Sequence, residues 1–193
     1  ALTAALERHG HQVAAMIMEP VLCNNGCIAP LPGYLELARR LADQHNVVLI
    51  FDEVITGFRL SLGGAQARFG VTPDLCVLGK AIGGGLPLSA VAGRREIMGL
   101  IAQGRVNHMG TLNGNPLVTA AAVAAIDLLA ADNGAAYDRM DRLAERLAEG
   151  LLELAQAHGV ALRINRVGPV FHTLFTERDA ITTYADFLEA VDA

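Results

Sequence analysis

Two ionisable residues in this sequence stand where apolar runs end. Asp52 follows Val47-Val-Leu-Ile-Phe51, while Lys80 follows Leu75-Cys-Val-Leu-Gly79 and precedes Ala-Ile-Gly-Gly-Gly85. Proteins with α/β folds place ligands outside the carboxyl ends of their strands. A carboxylate there must be solvated, paired or matched to a cationic atom, because an uncompensated buried charge is costly. Taken alone, Asp52 is more simply a strand-end residue that caps a loop or pairs with Arg59. Lys80 sits among apolar residues and glycines, where desolvation disfavours the ammonium form and a neutral amine, the species that forms Schiff bases, becomes accessible. A lone lysine there is explained equally well as a side chain that snorkels its head into solvent.

The pair says more than either residue. Lys80 comes 28 residues after Asp52, enough chain for a crossover that returns to a nearby strand end. An amine and a carboxylate at one sheet edge are two groups that pyridoxal 5'-phosphate requires. The amine joins its C4′ atom, and the carboxylate keeps the pyridine nitrogen protonated so that the ring can take up electrons.

The elements that must position the pair are legible as periodicity. Val13 to Met18 is a continuous apolar run, expected to be a strand buried on both faces, and Val47 to Phe51 is a second. Between them, Leu35, Leu37, Ala38, Leu41 and Ala42 recur at helical spacing within Pro32 to His45, with proline in the first turn. A glycine-rich stretch covers Gly57 to Gly70, Leu75 to Leu78 reads as a third strand, and Leu88 to Ala92 as a fourth. Arg94 to Gln103 reads as a helix, Asn107 to Pro116 as a loop, and Leu117 to Ala131 and Ala135 to His158 as two helices. Ala161 to Ile164 and Val170 to Thr176 alternate like half-exposed strands, and Tyr184, Phe187, Leu188 and Val191 mark a further helical pattern. This order predicts an α/β main domain, with a smaller α+β unit beginning near Ala135.

Composition narrows the function classes. The chain has 193 residues, a formal net charge of -5, no Trp, 5% aromatic residues and no Lys/Arg run, so nucleic acid is not an expected partner. Pro116 to Ala131 is the segment nearest to a membrane span, but Asp127 interrupts it and its length suits a buried helix; no membrane partner is expected. Cys23, Cys27 and Cys76 have no second cysteine pair or nearby histidine to complete a zinc site. Reduced thiols in the cytoplasm are the expected reading, with no metal. His108 is expected to pack its loop, and Glu19 to be a buried, hydrogen-bonded carboxylate. Met140, Leu143, Leu147 and Leu151 should form a core or dimer face. The chain starts without Met and stops after an apolar helical pattern, which leads to the expectation of a fragment.

The stretch Leu49-Ile-Phe-Asp-Glu-Val-Ile-Thr-Gly-Phe-Arg59, followed by Pro73-Asp-Leu-Cys-Val-Leu-Gly-Lys-Ala-Ile-Gly-Gly-Gly-Leu-Pro87, resembles the signature of class III PLP-dependent aminotransferases. Glu19-Pro-Val through Asn24, Arg94-Arg-Glu-Ile-Met98 and Gly110-Thr-Leu-Asn-Gly-Asn-Pro116 are most similar to glutamate-1-semialdehyde 2,1-aminomutase and its transaminase relatives. Many class III members carry Gln-Gly-Glu-Gly-Gly where this chain has Leu22-Cys-Asn-Asn-Gly26, a departure that points to the aminomutase-like branch.

The resemblance implies the PLP fold-type I architecture, with a mostly parallel sheet in a large domain (residues 1–134) and the start of a small C-terminal domain (135–193). It implies pyridoxal 5'-phosphate as cofactor, small amino and keto compounds as substrates, and a homodimer. Lys80 matches the Schiff-base lysine, Asp52 the carboxylate on the pyridine nitrogen, and Val54 the apolar residue on the ring face. Asn24 matches a position near the phenolic oxygen, and Gly110 with Thr111 the phosphate ligand lent to the partner subunit. The family's phosphate cup and its ring-stacking aromatic lie upstream of Ala1, so the isolated stretch is expected to be inactive. The expected reaction is amino transfer between an amino and a carbonyl compound, with intramolecular transfer by an aminomutase as one alternative. A truncated homologue acting as a binding or assembly partner is the non-catalytic one.

Overall fold

The computed structural model of the chain describes residues 1–191. Four strands form the main sheet in the order β1-β2-β3-β4: β1 is Ala15–Met18, β2 Val48–Glu53, β3 Leu75–Leu78 and β4 Ala90–Gly93. The first three are parallel, with Ile17 beside Ile50 and Asp52 beside Val77, and β4 returns antiparallel with Val91 beside Val77. Helices α1 (Leu2–His9) and α2 (Tyr34–His45) flank β1, α3 (Gly64–Phe69) joins β2 to β3, and α4 (Arg95–Ala102) follows β4. Then come α5 (Pro116–Ala130), α6 (Ala135–Ala157), the hairpin of β5 (Leu162–Val167) and β6 (Val170–Phe175), and α7 (Tyr184–Val191). Neither α1 nor α3 is anticipated from the sequence: one is short, and the other starts inside the glycine-rich stretch.

Cover lies on one face of the sheet. Leu35, Ala38, Leu41 and Ala42 share one side of α2, and Leu35 and Ala42 pack with Leu49, Phe51 and Val71, joined by Met16, Met18 and Phe69. The opposite face is bare, and this corrects the expectation for β1. Its residues alternate between exposed and half-buried, with Ile17 63% exposed, because the described residues supply no layer above it.

A second expectation fails in the same way. Pro116–Ala157 is long and apolar enough by composition to cross a bilayer, yet Asp132 and Asn133 in left-handed conformations break it between α5 and α6. Only Ala122 of α5 is buried, while Leu117 and Leu128 are more than 70% exposed. In α6 the buried residues are Ala144 and Ala148, and Leu143 and Leu147 are exposed, which removes the core alternative for those two and leaves the dimer face as an expectation.

The C-terminal hairpin is joined to the loop that follows β1. Val167 closes a cluster with Val21, Cys23, Cys27, Leu60 and Ala65, and Ile28 packs with Leu174, Ile181 and Ala190. Arg166 reaches from β5 to Asp141 and Glu145 of α6. Thr183 and Asp186 form a reciprocal cap at the start of α7: the Asp186 N–H donates to Thr183 Oγ1 at 3.1 Å, and the Thr183 N–H to Asp186 Oδ2 at 2.9 Å.

Asp74, just before β3, ties the layers together. Its buried carboxylate accepts the Leu49 N–H at 2.8 Å, Arg39 Nη1 at 2.9 Å and Arg94 Nη1 at 3.1 Å, joining α2, β2 and the end of β4. Burial pushes this carboxyl up, but the Leu49 N–H and the two guanidinium groups outweigh it and hold it below the ordinary value. Its stabilising effect is therefore complete above the ordinary aspartate pKa of about 4 and is lost as pH falls through the depressed folded value. In the full-length protein, Asp74→Asn should cost about 3 kcal/mol at pH 7, read as a lower urea midpoint. The variant should also lose less stability than the parent between about pH 5 and pH 2.

Candidate active site

Alternation along β2 decides which carboxylate meets solvent. Leu49, Phe51 and Glu53 turn into the helix-covered face, while Ile50 and Asp52 turn onto the bare one. Asp52 is half-buried at the carboxyl end of the strand, and its Oδ1 accepts the Val54 N–H at 3.0 Å. Its Oδ2 has no donor among the described residues. The pairing with Arg59 considered from the sequence is absent, since Arg59 Nε donates to the Ile55 carbonyl at 3.1 Å.

Lys80 leaves the neighbouring strand three residues beyond Val77, the register partner of Asp52; adjacent strands lie about 4.8 Å apart. It opens a 3₁₀ turn over Lys80–Gly83 with φ 49°, a left-handed conformation that costs a non-glycine residue about 1–2 kcal/mol. Two contacts hold the turn. A Cβ on Gly79 would lie 3.3 Å from Val54 Cγ1, so the segment after Asp52 rests on the residue before Lys80. Gly84, at φ 58°, approaches α5 so closely that a Cβ would lie 3.2 Å from Ala125 Cβ. Lys80 itself is exposed, which corrects the desolvation argument: the bare sheet face gives its amine no apolar cover in this chain.

The loop after β1 borders the same region. Leu22 and Ile28 exchange two backbone hydrogen bonds at 3.0 and 3.2 Å, and Asn165 Nδ2 holds the loop by donating to the Gly26 carbonyl at 2.8 Å and the Ile181 carbonyl at 2.9 Å. Asn24 is exposed at its tip. Burial pushes the neighbouring Cys23 thiol up to about 12, with Cys27 and Glu19 adding to the shift and Arg59 and Lys80 opposing it. The thiol is therefore inert at neutral pH. Glu19 is half-buried and accepts the Cys23 N–H at 3.3 Å.

Gly110 and Thr111 make no hydrogen bond to Asp52, Val54 or Lys80 of this chain among the described residues. They sit in an exposed loop closed by the Asn113 N–H on the Gly110 carbonyl at 3.0 Å. His108 is exposed in the same loop, so it does not pack it.

A carboxylate with an open oxygen, an exposed primary amine on the adjacent strand end and a valine between them suit a protonated pyridine ring that carries an aldehyde. The donor set therefore fits pyridoxal 5'-phosphate at its ring end. A cleft of about 390 Å³ lies elsewhere, lined by Glu53, Gly57, Gly64, Gln66 and Leu78, and contains neither Asp52 nor Lys80.

Glu53 is the residue the sequence reading passes over. It is fully buried, and its carboxylate accepts Thr56 Oγ1 at 3.0 Å, the Ala65 and Gln66 N–H groups, and Gln66 Nε2 at 3.1 Å. The signal was available: two consecutive acidic residues at a strand end must point to opposite faces, so one of them needs donors inside.

The family model for Aminotransferase class-III matches residues 1–192. Among solved structures, an omega-transaminase from Sphaerobacter thermophilus is 34% identical with a TM-score of 0.86, covering 98% of this chain and 42% of that one. A beta-phenylalanine aminotransferase from Variovorax paradoxus is 33% identical with a TM-score of 0.78, over 96% of this chain and 43% of that one. A glutamate-1-semialdehyde-aminomutase from Pseudomonas aeruginosa PAO1, in complex with PMP, is 30% identical with a TM-score of 0.81, over 98% and 43%. The chain thus spans less than half the length of each.

The seating of the lysine turn on α5 is open to test. In the full-length protein, Ala125→Leu should cost about 1–3 kcal/mol by overpacking against Gly84, measured from urea midpoints. Ala124→Leu, at an exposed neighbour, should change stability by no more than about 0.5 kcal/mol.

Proposed function

Because this chain belongs to the class-III aminotransferases, we propose that its full-length protein moves an amino group between an amino compound and a carbonyl compound, using pyridoxal 5'-phosphate held by Lys80 and Asp52. The observation that carries this reading is the pairing of Asp52 with Val77 on adjacent parallel strands, which brings the carboxylate and the Lys80 turn to one edge of the sheet.

In this reading Lys80 Nζ would be the point of covalent attachment, and Asp52 would hold the ring nitrogen's proton. Val54 would supply an apolar surface for the ring, and Asn24 a polar group for its phenolic oxygen. Gly110 and Thr111 would serve the phosphate of a partner subunit in a homodimer, which agrees with their exposure in this chain. When bound, the cofactor supplies an electron sink for negative charge on the carbon next to the reacting nitrogen. Asp52 keeps the nitrogen proton in place, and the Val54 N–H on Oδ1 fixes the orientation of the carboxylate. Lys80 Nζ, when free, would take a proton from the substrate carbon and return it, acting as base and then acid. The left-handed turn gives that amine a fixed origin between Gly79 and α5.

Residues 1–134 make up the cofactor-binding part and residues 135–193 the beginning of a smaller unit, divided at the break around Asp132 and Asn133. A cytoplasmic setting agrees with three buried free thiols. Intramolecular transfer by an aminomutase is the second reading. It is favoured by Leu22-Cys-Asn-Asn-Gly26 in place of the Gln- and Glu-containing loop, and by the likeness to the Pseudomonas aeruginosa aminomutase.

The full-length protein mixed with pyridoxal 5'-phosphate should show a visible absorbance band, and borohydride should fix the cofactor's mass on the peptide containing Lys80. Lys80→Ala should abolish both; a variant that keeps band and activity would overturn the assignment. With an amino donor and a separate keto acceptor, exchange between them indicates transamination. Conversion of a single semialdehyde without a partner substrate indicates the mutase.

A further inference from the structure

We propose that Glu53 is a positioning residue that fixes Asp52 and Lys80 relative to one another; the proposal rests on reading those two residues as the groups that hold the cofactor. Glu53 touches neither cofactor nor substrate, because alternation along β2 turns it to the face opposite Asp52. It acts by clamping the five-residue turn through which the Asp52 strand bears on the Lys80 strand.

Four donors converge on its carboxylate. Oε2 accepts Thr56 Oγ1 and the Ala65 N–H, and Oε1 accepts the Gln66 N–H and Gln66 Nε2. No Lys or Arg pairs with it among the described residues. The carboxylate instead ties the turn after β2 to the first turn of α3. Room for it comes from Gly64, where an added Cβ would lie 2.2 Å from Oε2 and the backbone is left-handed at φ 66°.

Two contacts carry the clamp to the neighbouring strand. The Gly57 N–H donates to the Glu53 carbonyl at 2.8 Å, and a Cβ on Gly57 would meet Leu78 Cδ2 at 2.6 Å, so the closed turn lies flat against the end of β3. Val54, inside the same turn, rests on Gly79. Asp52 thus precedes the clamp directly, and Lys80 follows the two residues, Leu78 and Gly79, on which it presses.

A carboxylate is needed because both oxygens must accept. Glutamine would turn an NH₂ group toward one of them, where it would oppose the Ala65 or the Gln66 N–H. In the full-length protein loaded with pyridoxal 5'-phosphate, Glu53→Gln is expected to move the pH midpoint of the visible band by about half a unit or more. Amide hydrogen exchange should rise about tenfold or more in 54–57 and 79–80, with α2 and the β5–β6 hairpin unchanged. An unmoved midpoint with unmoved exchange in the folded variant would overturn the proposal, as would an even rise across the whole chain, which marks a purely structural role. If Glu53→Gln does not fold, Gln66→Met, which removes one of the donors, carries the same two measurements with a smaller expected shift and the same overturning outcomes. If the parent shows no visible band, the functional reading fails instead, and the exchange pattern alone still decides whether Glu53 couples the two strand ends.

Discussion

Consecutive residues of a strand point to opposite faces, and the chemistry of this chain depends on that constraint at Asp52 and Glu53. One carboxylate is sent to the open face, where a ligand can meet it. The other is sent inward, where four donors wait for it. A slip of one residue in the pairing of β2 with β3 would exchange their environments, burying Asp52 among donors and exposing Glu53. The register of Ile50 with Leu75 and Asp52 with Val77 is therefore a chemical specification as much as a topological one. Asp74 helps to fix it, since its carboxylate takes the Leu49 N–H on the β2 side of that pairing.

Cover is unevenly distributed, and this bears on what the residues can do. The face carrying Leu49 and Phe51 has a packed layer, whereas the face carrying Ile17, Ile50 and Asp52 has none in the described chain, and α5 is apolar but largely bare. Electrostatic effects on an amine and a carboxylate weaken where water is free to approach. The positions of Lys80 and Asp52 are set by this chain, but the dry surroundings that would sharpen their reactivity are not.

Much of this was legible in the sequence, for physical reasons that differ from residue to residue. Apolar runs ending in Asp52 and at Gly79-Lys80 marked the strand ends, because parallel strands covered by helices need such runs, and the helical spacing of Leu35 to Ala42 marked α2. The exposure of Ile17, Leu117 and Leu128 was not legible, since a run of apolar residues shows what needs burying and not whether a partner is present. Glu53 escaped notice because acidic residues are ordinarily solvated. Its role becomes visible only when the glycines at 57 and 64 are seen to make room for it. The exposure of Gly110 and Thr111 is likewise a long-range fact that no local pattern encodes.

The left-handed backbone at Lys80 has an evolutionary consequence. Glycine would occupy φ 49° without steric penalty, so a lysine at that point holds the turn in a less comfortable state, and on the proposed reading the primary amine is what that strain retains. Stability and reactivity thus pull in opposite directions at a single position. A descendant freed from selection for activity would gain by drifting to glycine there.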